Sequence, residues 1–226
     1  MSHAGPEPTE RTRVHRHPER GFYDRETIDA ILDEALFCHV GYVEDGKPRV
    51  IPTIHVRVGD TVYIHGSSAS HTLRAIKHGG EVCLVTTLLD GLVLARSAFS
   101  HSMNYRSVVV YGTAREVTDP DEKWAAQKAL VDHVVPGRSE QARMPNDAEL
   151  RQTSILAIYL EEASAKVRTG PPKDDEEDLG LQTWAGVLPL YTVPGEPVDD
   201  PHLPPGLAPP PNVTGYRRPN RRPTST

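Results

Sequence analysis

The sequence has few cysteines, few aromatic residues and no long apolar segment. Its 226 residues include only two cysteines, Cys38 and Cys83, both within strand-like apolar runs. We expect two free, buried thiols rather than a disulfide, as is typical of a reducing cytoplasm. The sequence contains no run of about 18 apolar residues, the length needed to span a membrane. Its N-terminus is too polar for a secretory signal. We therefore expect a cytoplasmic protein without a membrane partner.

An excess of positive charge is also missing. The 25 Lys and Arg residues are outnumbered by 31 Asp and Glu residues, which gives a net charge of −6. A chain with this balance has no general attraction for the phosphate backbone of nucleic acid. The sequence therefore predicts no nucleic-acid partner.

Several common catalytic signatures are absent as well. The chain contains no Gly-x-Ser-x-Gly elbow, no Walker or dinucleotide glycine pattern and no His-Glu-x-x-His helix. The eleven histidines include no pair with the spacing of a zinc site. The sequence therefore predicts no metal-ion site, no nucleophilic triad and no nucleotide-hydrolase fold, and it indicates no catalytic residue.

The distribution of proline divides the chain into three parts. Residues 193–226 contain ten of the 21 prolines and bury too little apolar surface to fold, which predicts a disordered tail. Residues 1–20 are polar and rich in arginine, which predicts a flexible arm. Residues 21–192 remain as one folded domain.

Short apolar runs separated by turn signals fill this domain. Strands are predicted over 37–43, 48–56, 61–65, 81–89, 92–97, 105–117 and 154–162. Asp45-Gly46 is a strong hairpin signal, and Asp24 and Asp119 are suitable helix caps. Helices do not alternate regularly with the strands, so a parallel sheet is not expected. The pattern predicts a mainly β protein with α additions, an antiparallel barrel flanked by helices.

Serine is concentrated where the strand over 61–65 gives way to a short helix. The side chains in this first turn are Ser67, Ser68, Ser70, His71 and Thr72. A helix N-terminus offers unpaired backbone N–H groups and the positive end of the helix dipole, so the segment can hold a phosphate. Serines at such a position also serve as ordinary caps.

Three stretches of sequence, in order, point to one family. They are CHVGYV followed by PRVIPT over 38–53, YIHGSSASHT over 63–72, and NYRSVVVYGTA over 104–114. The chain resembles the FMN-binding split-barrel proteins of the pyridoxamine 5'-phosphate oxidase-like family, and within it the nitroimidazole-resistance-like flavoproteins. The resemblance implies a Greek-key barrel of six to seven antiparallel strands. It also implies a homodimer with FMN at the subunit interface.

The resemblance assigns the cofactor-binding residues by position. The strand formed by Ile51, Pro52, Thr53, Ile54 and His55 would line the isoalloxazine ring with its backbone, and Ser67, Ser68, Ser70, His71 and Thr72 would hold the phosphate. Arg106 and Ser107 match a ring-contacting strand of the family. Trp184 would cover the ring from the partner subunit, or would be a buried core residue.

The chain departs from the oxidase pattern at the phosphate. A Ser-Arg-Lys triplet of the oxidase is replaced by Ser70-His71-Thr72, which removes two cations. Arg74, or Lys166 and Arg168, would supply the missing charge.

The resemblance implies an oxidoreductase that passes electrons from a reduced nicotinamide through the flavin to a small organic acceptor. Three alternatives stay open. They are a deazaflavin in the cleft, haem in the cleft with His65, His71 or His101 as the iron ligand, and a protein that binds flavin without turnover.

Overall fold

Six antiparallel strands close a barrel at the centre of the computed structural model, which describes residues 7–217. The nine strands are β1 (Gly21–Phe22), β2 (Phe37–Glu44), β3 (Lys47–Val58), β4 (Thr61–Ser67), β5 (His78–Leu94), β6 (Ser102–Glu116), β7 (Thr153–Tyr159), β8 (Glu162–Arg168) and β9 (Gly186–Pro189). The helices are α1 (Arg25–Glu34), α2 (His71–Ile76), α3 (Pro120–Val134), α4 (Asp147–Gln152) and α5 (Pro211–Thr214).

The barrel runs in the order β6, β7, β4, β3, β2 and β5, and pairing of β5 with β6 closes it. Strand β8 extends the sheet from β6, β1 pairs with β8, and β9 pairs with β5. All of these pairs are antiparallel. The predicted split barrel of six to seven strands with flanking helices is confirmed as the fold class.

Alternate residues of the barrel strands face one continuous core. Val40, Ile64, Leu84, Val110 and Leu156 are fully buried within it. Helix α1 adds Ile28, Ile31 and Leu32 to the same core. A smaller apolar cluster, centred on Ile155 and Ala157, lies where α3 packs against the barrel. The barrel interior is therefore filled, and a ligand has to bind on its outer surface.

The helix caps and the hairpin turn predicted from the sequence are present in the structure. The side chain of Asp24 accepts a hydrogen bond from Thr27 N–H, and Asp119 caps α3 in the same way. Asp45 and Gly46 both have positive φ in the β2–β3 hairpin, as the favoured two-residue turn requires. Cys38 and Cys83 are both free; Cys38 is buried and Cys83 is half-buried.

Two boundaries predicted from the sequence were wrong. The strands expected over 81–89 and 92–97 form the single strand β5, which continues through a register shift between Leu89 and Gly91. The last strand, expected to end at 162, ends at Tyr159, and β8 follows it. Gly91 marks the bulge because β9 passes so close that a Cβ there would lie 3.1 Å from Leu188 O.

Both ends of the described chain contact the domain. Arg11 forms ion pairs with Glu81 and Glu162, and Val14 N–H donates to Tyr23 Oη. After β9 the chain has no helix or strand until α5, within the residues that the structure describes. The arm and tail assignments for residues 1–6 and 218–226 lie outside the described residues. Among residues 7–217, no helix has the length and apolar character needed to cross a membrane.

Candidate functional site

Serines stabilise the turn between β4 and α2 through hydrogen bonds. Ser70 Oγ accepts a hydrogen bond from Leu73 N–H at 3.4 Å, and Ser67 Oγ accepts one from Ala69 N–H at 3.2 Å. The N–H of Ser68 donates to the carbonyl of the last residue of α4 at 2.8 Å. Ser67 and Ser70 thus cap the turn through their side-chain oxygens, which leaves their hydroxyl hydrogens for a bound acceptor.

Ionisable side chains surround this turn. Glu44 lies 3.7 Å from Arg49 Nε and 3.5 Å from His71 Nε2. Tyr42 Oη donates to Thr72 Oγ1 at 3.1 Å, which ties the barrel to α2. Sequence reasoning missed Glu44 and Arg49. The hairpin at 45–46 could have revealed Arg49, because it fixes the register that pairs Arg49 with Tyr42.

Arg74 adds a further cation one helical turn later. It is exposed and has no ion pair among the residues that the structure describes. With Arg49 and Arg74 against Glu44, the turn carries one surplus positive charge when His71 is neutral. The residues present therefore fit a phosphate, with weaker charge compensation than a Ser-Arg-Lys triplet would give.

Much of β3, residues 47–54, has one unpaired backbone edge. Residues 47–54 pair with β2 on one side, whereas pairing with β4 begins only at His55. Alternate residues of a strand direct their N–H and C=O groups to opposite edges, and the two hairpin registers turn those of Ile51 and Thr53 toward β2. Within the described chain, the other edge therefore presents the N–H and C=O groups of Val50 and Ile54, and the C=O of Pro52, without strand partners. Such groups need a hydrogen-bonding partner, which a polar heterocycle can provide as well as water can.

His55 lies apart from this free edge. Its ring is fully buried, and its Nε2–H donates to the carbonyl of Leu32 at 3.0 Å. The ring centroid lies 5.5 Å from that of His133. Burial lowers the pKa of His55 to about 4. The side chain is therefore a neutral core group, and only the backbone of His55 continues the strand.

Arg106 and Ser107 lie outside the α2 turn. Arg106 donates to both oxygens of Glu34, at 2.6 and 2.9 Å, and to both oxygens of Asp90, each at 2.9 Å. These carboxylates raise the pKa of Arg106 further above its ordinary value. Ser107 Oγ donates to the carbonyl of Lys166 at 3.3 Å. The structure assigns both residues contacts within the barrel, and their predicted cofactor role stays a prediction.

Trp184 is not a core residue. It is 67% exposed, and its ring lies against Gly186 at the start of β9. In this position the indole is available to a second molecule, as the predicted contact across a dimer requires.

The other candidate cations occupy different surroundings. Arg168 is buried, and its guanidinium donates to Asn104 Oδ1 and to the carbonyls of Gly170 and Pro171. Burial lowers its pKa. These contacts hold the segment after β8, away from α2, so Arg74 rather than Arg168 is the extra cation at the turn.

Two neighbouring pockets, which share Val135 and Arg138 and which we together call the α3 cavity, lie beside Ile54 of β3; we call them its inner and outer lobes. Its inner lobe of about 270 Å³ is lined by Ile54, His65, Gln127, Leu130, Val131, Val134, Val135 and Arg138. Its outer lobe of about 660 Å³ shares Val135 and Arg138, and is otherwise formed by Gln141, the C-terminal segment between Pro197 and Pro210, and Val213. Among residues 7–217, no group of three or more His, Cys, Asp or Glu side chains could hold a metal ion by itself.

Comparison with known proteins identifies the family. The family model for pyridoxamine 5'-phosphate oxidase matches residues 24–167. The chain belongs to the pyridoxamine 5'-phosphate oxidase family. The matched segment contains α2, the free edge of β3 and Arg106, but it ends before Trp184 and the C-terminal segment.

Two solved structures resemble this family member over nearly its whole length. The flavocytochrome Anf3 from Azotobacter vinelandii is 41% identical with a TM-score of 0.87, and the match covers 94% of this chain and 99% of Anf3. An FAD and haem binding protein from Mycobacterium smegmatis is 38% identical with a TM-score of 0.83, over 87% of this chain and 96% of that protein. No curated protein matches the chain.

A more distant structure agrees in fold. A protein from Bacteroides thetaiotaomicron named for 5-nitroimidazole antibiotic resistance is 23% identical with a TM-score of 0.56, over 65% of this chain and 86% of that protein. At this identity the match concerns the fold alone.

Proposed function

We propose that this protein is a flavin-dependent oxidoreductase. The observation that carries the proposal is the unpaired backbone edge of β3 over residues 47–54, next to the serine turn of α2. The two relatives at 38–41% identity, one described as a flavocytochrome and one as binding FAD, support the same assignment.

Each part of the site matches one part of a flavin. The free N–H and C=O groups of Val50 and Ile54, with the C=O of Pro52, would bond the polar edge of the ring. The hydroxyls of Ser67, Ser68 and Ser70, with His71 and Thr72, would hold a phosphate, while Arg49 and Arg74 supply positive charge. A bound flavin supplies reversible electron transfer, and the protein contributes orientation and electrostatics. No general acid or base is required of this chain.

A homodimer would complete the site. Large apolar side chains remain exposed on β2 and β3, including Phe37 (55%), Val43 (70%) and Val50 (65%). Patches of this kind mark interaction surfaces. A second copy of the chain is the partner that the family resemblance implies, and it would bring a Trp184 from outside toward a ring that lies along β3.

The flavin and the reaction are tested on purified protein. We expect a flavin absorption spectrum, with the cofactor released on denaturation and identified as FMN by chromatography; FAD, which the Mycobacterium smegmatis relative is described as binding, is the second candidate. Reduced nicotinamide should then be oxidised when a nitroaromatic acceptor is added. Absence of flavin, together with no fluorescence quenching of added FMN or FAD, would refute the proposal. Flavin without turnover would indicate a binding protein, and a deazaflavin spectrum would change the cofactor.

A flavocytochrome is the second candidate function. Both relatives that cover most of the chain are described as flavocytochrome or as FAD and haem binding. Haem would add a one-electron acceptor beside a two-electron donor, which suits delivery of single electrons. A Soret band in addition to the flavin bands would establish this function.

A further inference from the structure

Two side chains that line the mostly apolar inner lobe of the α3 cavity have a buried polar atom without a hydrogen-bond partner. His65 Nδ1 and Gln127 Oε1 are both buried, and neither has a hydrogen bond within the described residues. Both side chains line the inner lobe. An unpartnered buried polar atom is costly, at about 1–3 kcal/mol for each group, and native proteins rarely leave two of them in one place. The pair points to a bound group in the cavity.

The rest of the lining defines the chemistry of that group. Four aliphatic side chains of α3 and the adjoining loop, Leu130, Val131, Val134 and Val135, form an apolar wall opposite Ile54. Arg138 lines both lobes and is exposed, and within residues 7–217 the one hydrogen bond of its guanidinium is to Gln141 Oε1 at 3.3 Å. A molecule that suits the cavity is therefore large and apolar. It contains one atom that a histidine nitrogen can coordinate, and it carries an acid group at its edge for Arg138.

The C-terminal segment closes the outer lobe. Its wall is rich in proline, which has no N–H to donate, so most of what it presents is apolar surface. Asn212 of α5 holds this wall against the loop that follows α3, because it accepts from Gln141 Nε2 and donates to the carbonyl of Pro136. Asp199 and Asp200 also line the outer lobe, and their carboxylates would repel an acid group. An acid group of the ligand is therefore favoured at the Arg138 end.

We propose that the α3 cavity binds haem, with His65 as the iron ligand and Arg138 as the partner of a propionate, and that Gln127 Oε1 would accept from the second nitrogen of His65 in the loaded protein. This inference rests on the flavocytochrome candidate and assigns it to named residues of this chain. Ligand pockets usually measure about 300–1,000 Å³, and the two lobes, of about 270 and 660 Å³, are of that order. A histidine ligand whose second nitrogen bonds an oxygen acceptor is the usual arrangement at protein metal sites.

The position of the cavity suits electron transfer. Ile54 belongs both to the inner lobe and to the free edge of β3. His65 precedes the serine turn by one residue on β4. A haem in the cavity would therefore be a direct neighbour of a flavin bound along β3.

The test is titration of the full-length protein with hemin, followed by absorption and electron paramagnetic resonance spectroscopy. We expect equimolar uptake and the spectrum of a histidine-ligated iron. His65→Gly should lose that spectrum, and added imidazole should restore it. Arg138→Gln should weaken haem binding about tenfold with no change in spectrum. His101→Ala is the matched control, because His101 is exposed with its Nδ1 bonded to Ser97 O, and it should behave as the wild type.

Two results would overturn the assignment. The first is a wild-type protein that takes up no haem, and the second is a His65→Gly variant that keeps the wild-type haem spectrum. Flavin content, read from its own absorption bands in the same samples, shows whether each variant is folded. Flavin without haem would refute only the haem site, whereas absence of flavin from every sample would refute the oxidoreductase proposal itself.

Discussion

At the scale of single residues, the most informative contact is the one made by Arg106. Sequence resemblance places this arginine against the cofactor, yet its guanidinium is fully engaged by Glu34 and Asp90. The three side chains join α1, β5 and β6. In this chain Arg106 links the barrel to helix α1, whether or not it also contacts a cofactor.

Replacing Arg106 should therefore reduce stability. Arg106→Ala leaves Glu34, whose side chain is 10% exposed, without its counter-charge, and we expect a loss of about 3 kcal/mol in the free energy of unfolding. Urea denaturation of the flavin-free protein measures this loss. Arg106→Lys keeps the charge without the bidentate geometry and should lie in between. Unchanged stability combined with lost flavin would instead show that the arginine serves the cofactor.

His55 should make stability depend on pH. Its folded-state pKa of about 4 lies below the ordinary value of 6.5, so between these values the unfolded chain binds a proton that the folded chain does not. Stability should then fall as the pH drops from about 6.5 to about 4, by up to about 3 kcal/mol.

His55→Gln is the matching variant, because glutamine keeps a donor for the Leu32 carbonyl and does not titrate in this range. Unfolding curves at several pH values should show a smaller slope for the variant than for the wild type. Equal slopes would indicate that other groups cause the loss.

At the scale of elements, the α2 turn combines a structural and a binding role. His71→Ala and Arg74→Ala should each weaken flavin binding by about 10- to 100-fold, the loss of one charge-assisted hydrogen bond of about 1.5–3 kcal/mol, with the fold intact. Ser70→Ala should weaken binding and also remove the cap of α2, at about 1 kcal/mol of stability. Fluorescence quenching of added flavin measures the affinity.

Lys128→Ala provides the control for these variants. Lys128 is a cation on α3 whose ion pair is with Glu140, so its removal should not change flavin affinity. If the α2 variants bind as tightly as this control, the phosphate lies elsewhere.

The elements also show how far sequence reasoning reaches. Caps at Asp24 and Asp119 and the turn at 45–46 were predictable, because each depends on a local backbone conformation that few residues favour. Strand β8 was missed, because its segment EASAKVR alternates small and charged residues and gains its stability only from pairing with β6. The break expected at Asp90-Gly91 is a bulge that β9 stabilises from a distance of nearly 100 residues in sequence.

The candidate site divides in the same way. The serine turn could be read from the sequence because it is contiguous. The free edge of β3, and the presence of His65 and Gln127 in the lining of one pocket, could not be, since each depends on strands and helices that meet only in the folded chain.

At the scale of the whole molecule, the exposed apolar surface of β2 and β3 predicts dimerisation. Val50→Glu places a charge in the centre of this surface without touching the barrel core, because Val50 is 65% exposed. We expect light scattering to report a dimer for the wild type and a monomer for the variant, with flavin bound more weakly by the monomer. Val198→Glu, at a position 94% exposed on the C-terminal segment, is the control and should remain dimeric.

The strand pairing of the barrel also has a kinetic consequence. Strands β5 and β6 are close in sequence, with Val93 opposite Ser102. Strands β1 and β8 are far apart in sequence, with Gly21 opposite Lys166. Closing the short loop loses much less chain entropy than closing the long one. We expect the β5–β6 hairpin to form early, so that Val110→Ala slows refolding, while Phe22→Ala mainly speeds unfolding in stopped-flow measurements. The same two strands that close the barrel would then also begin its assembly.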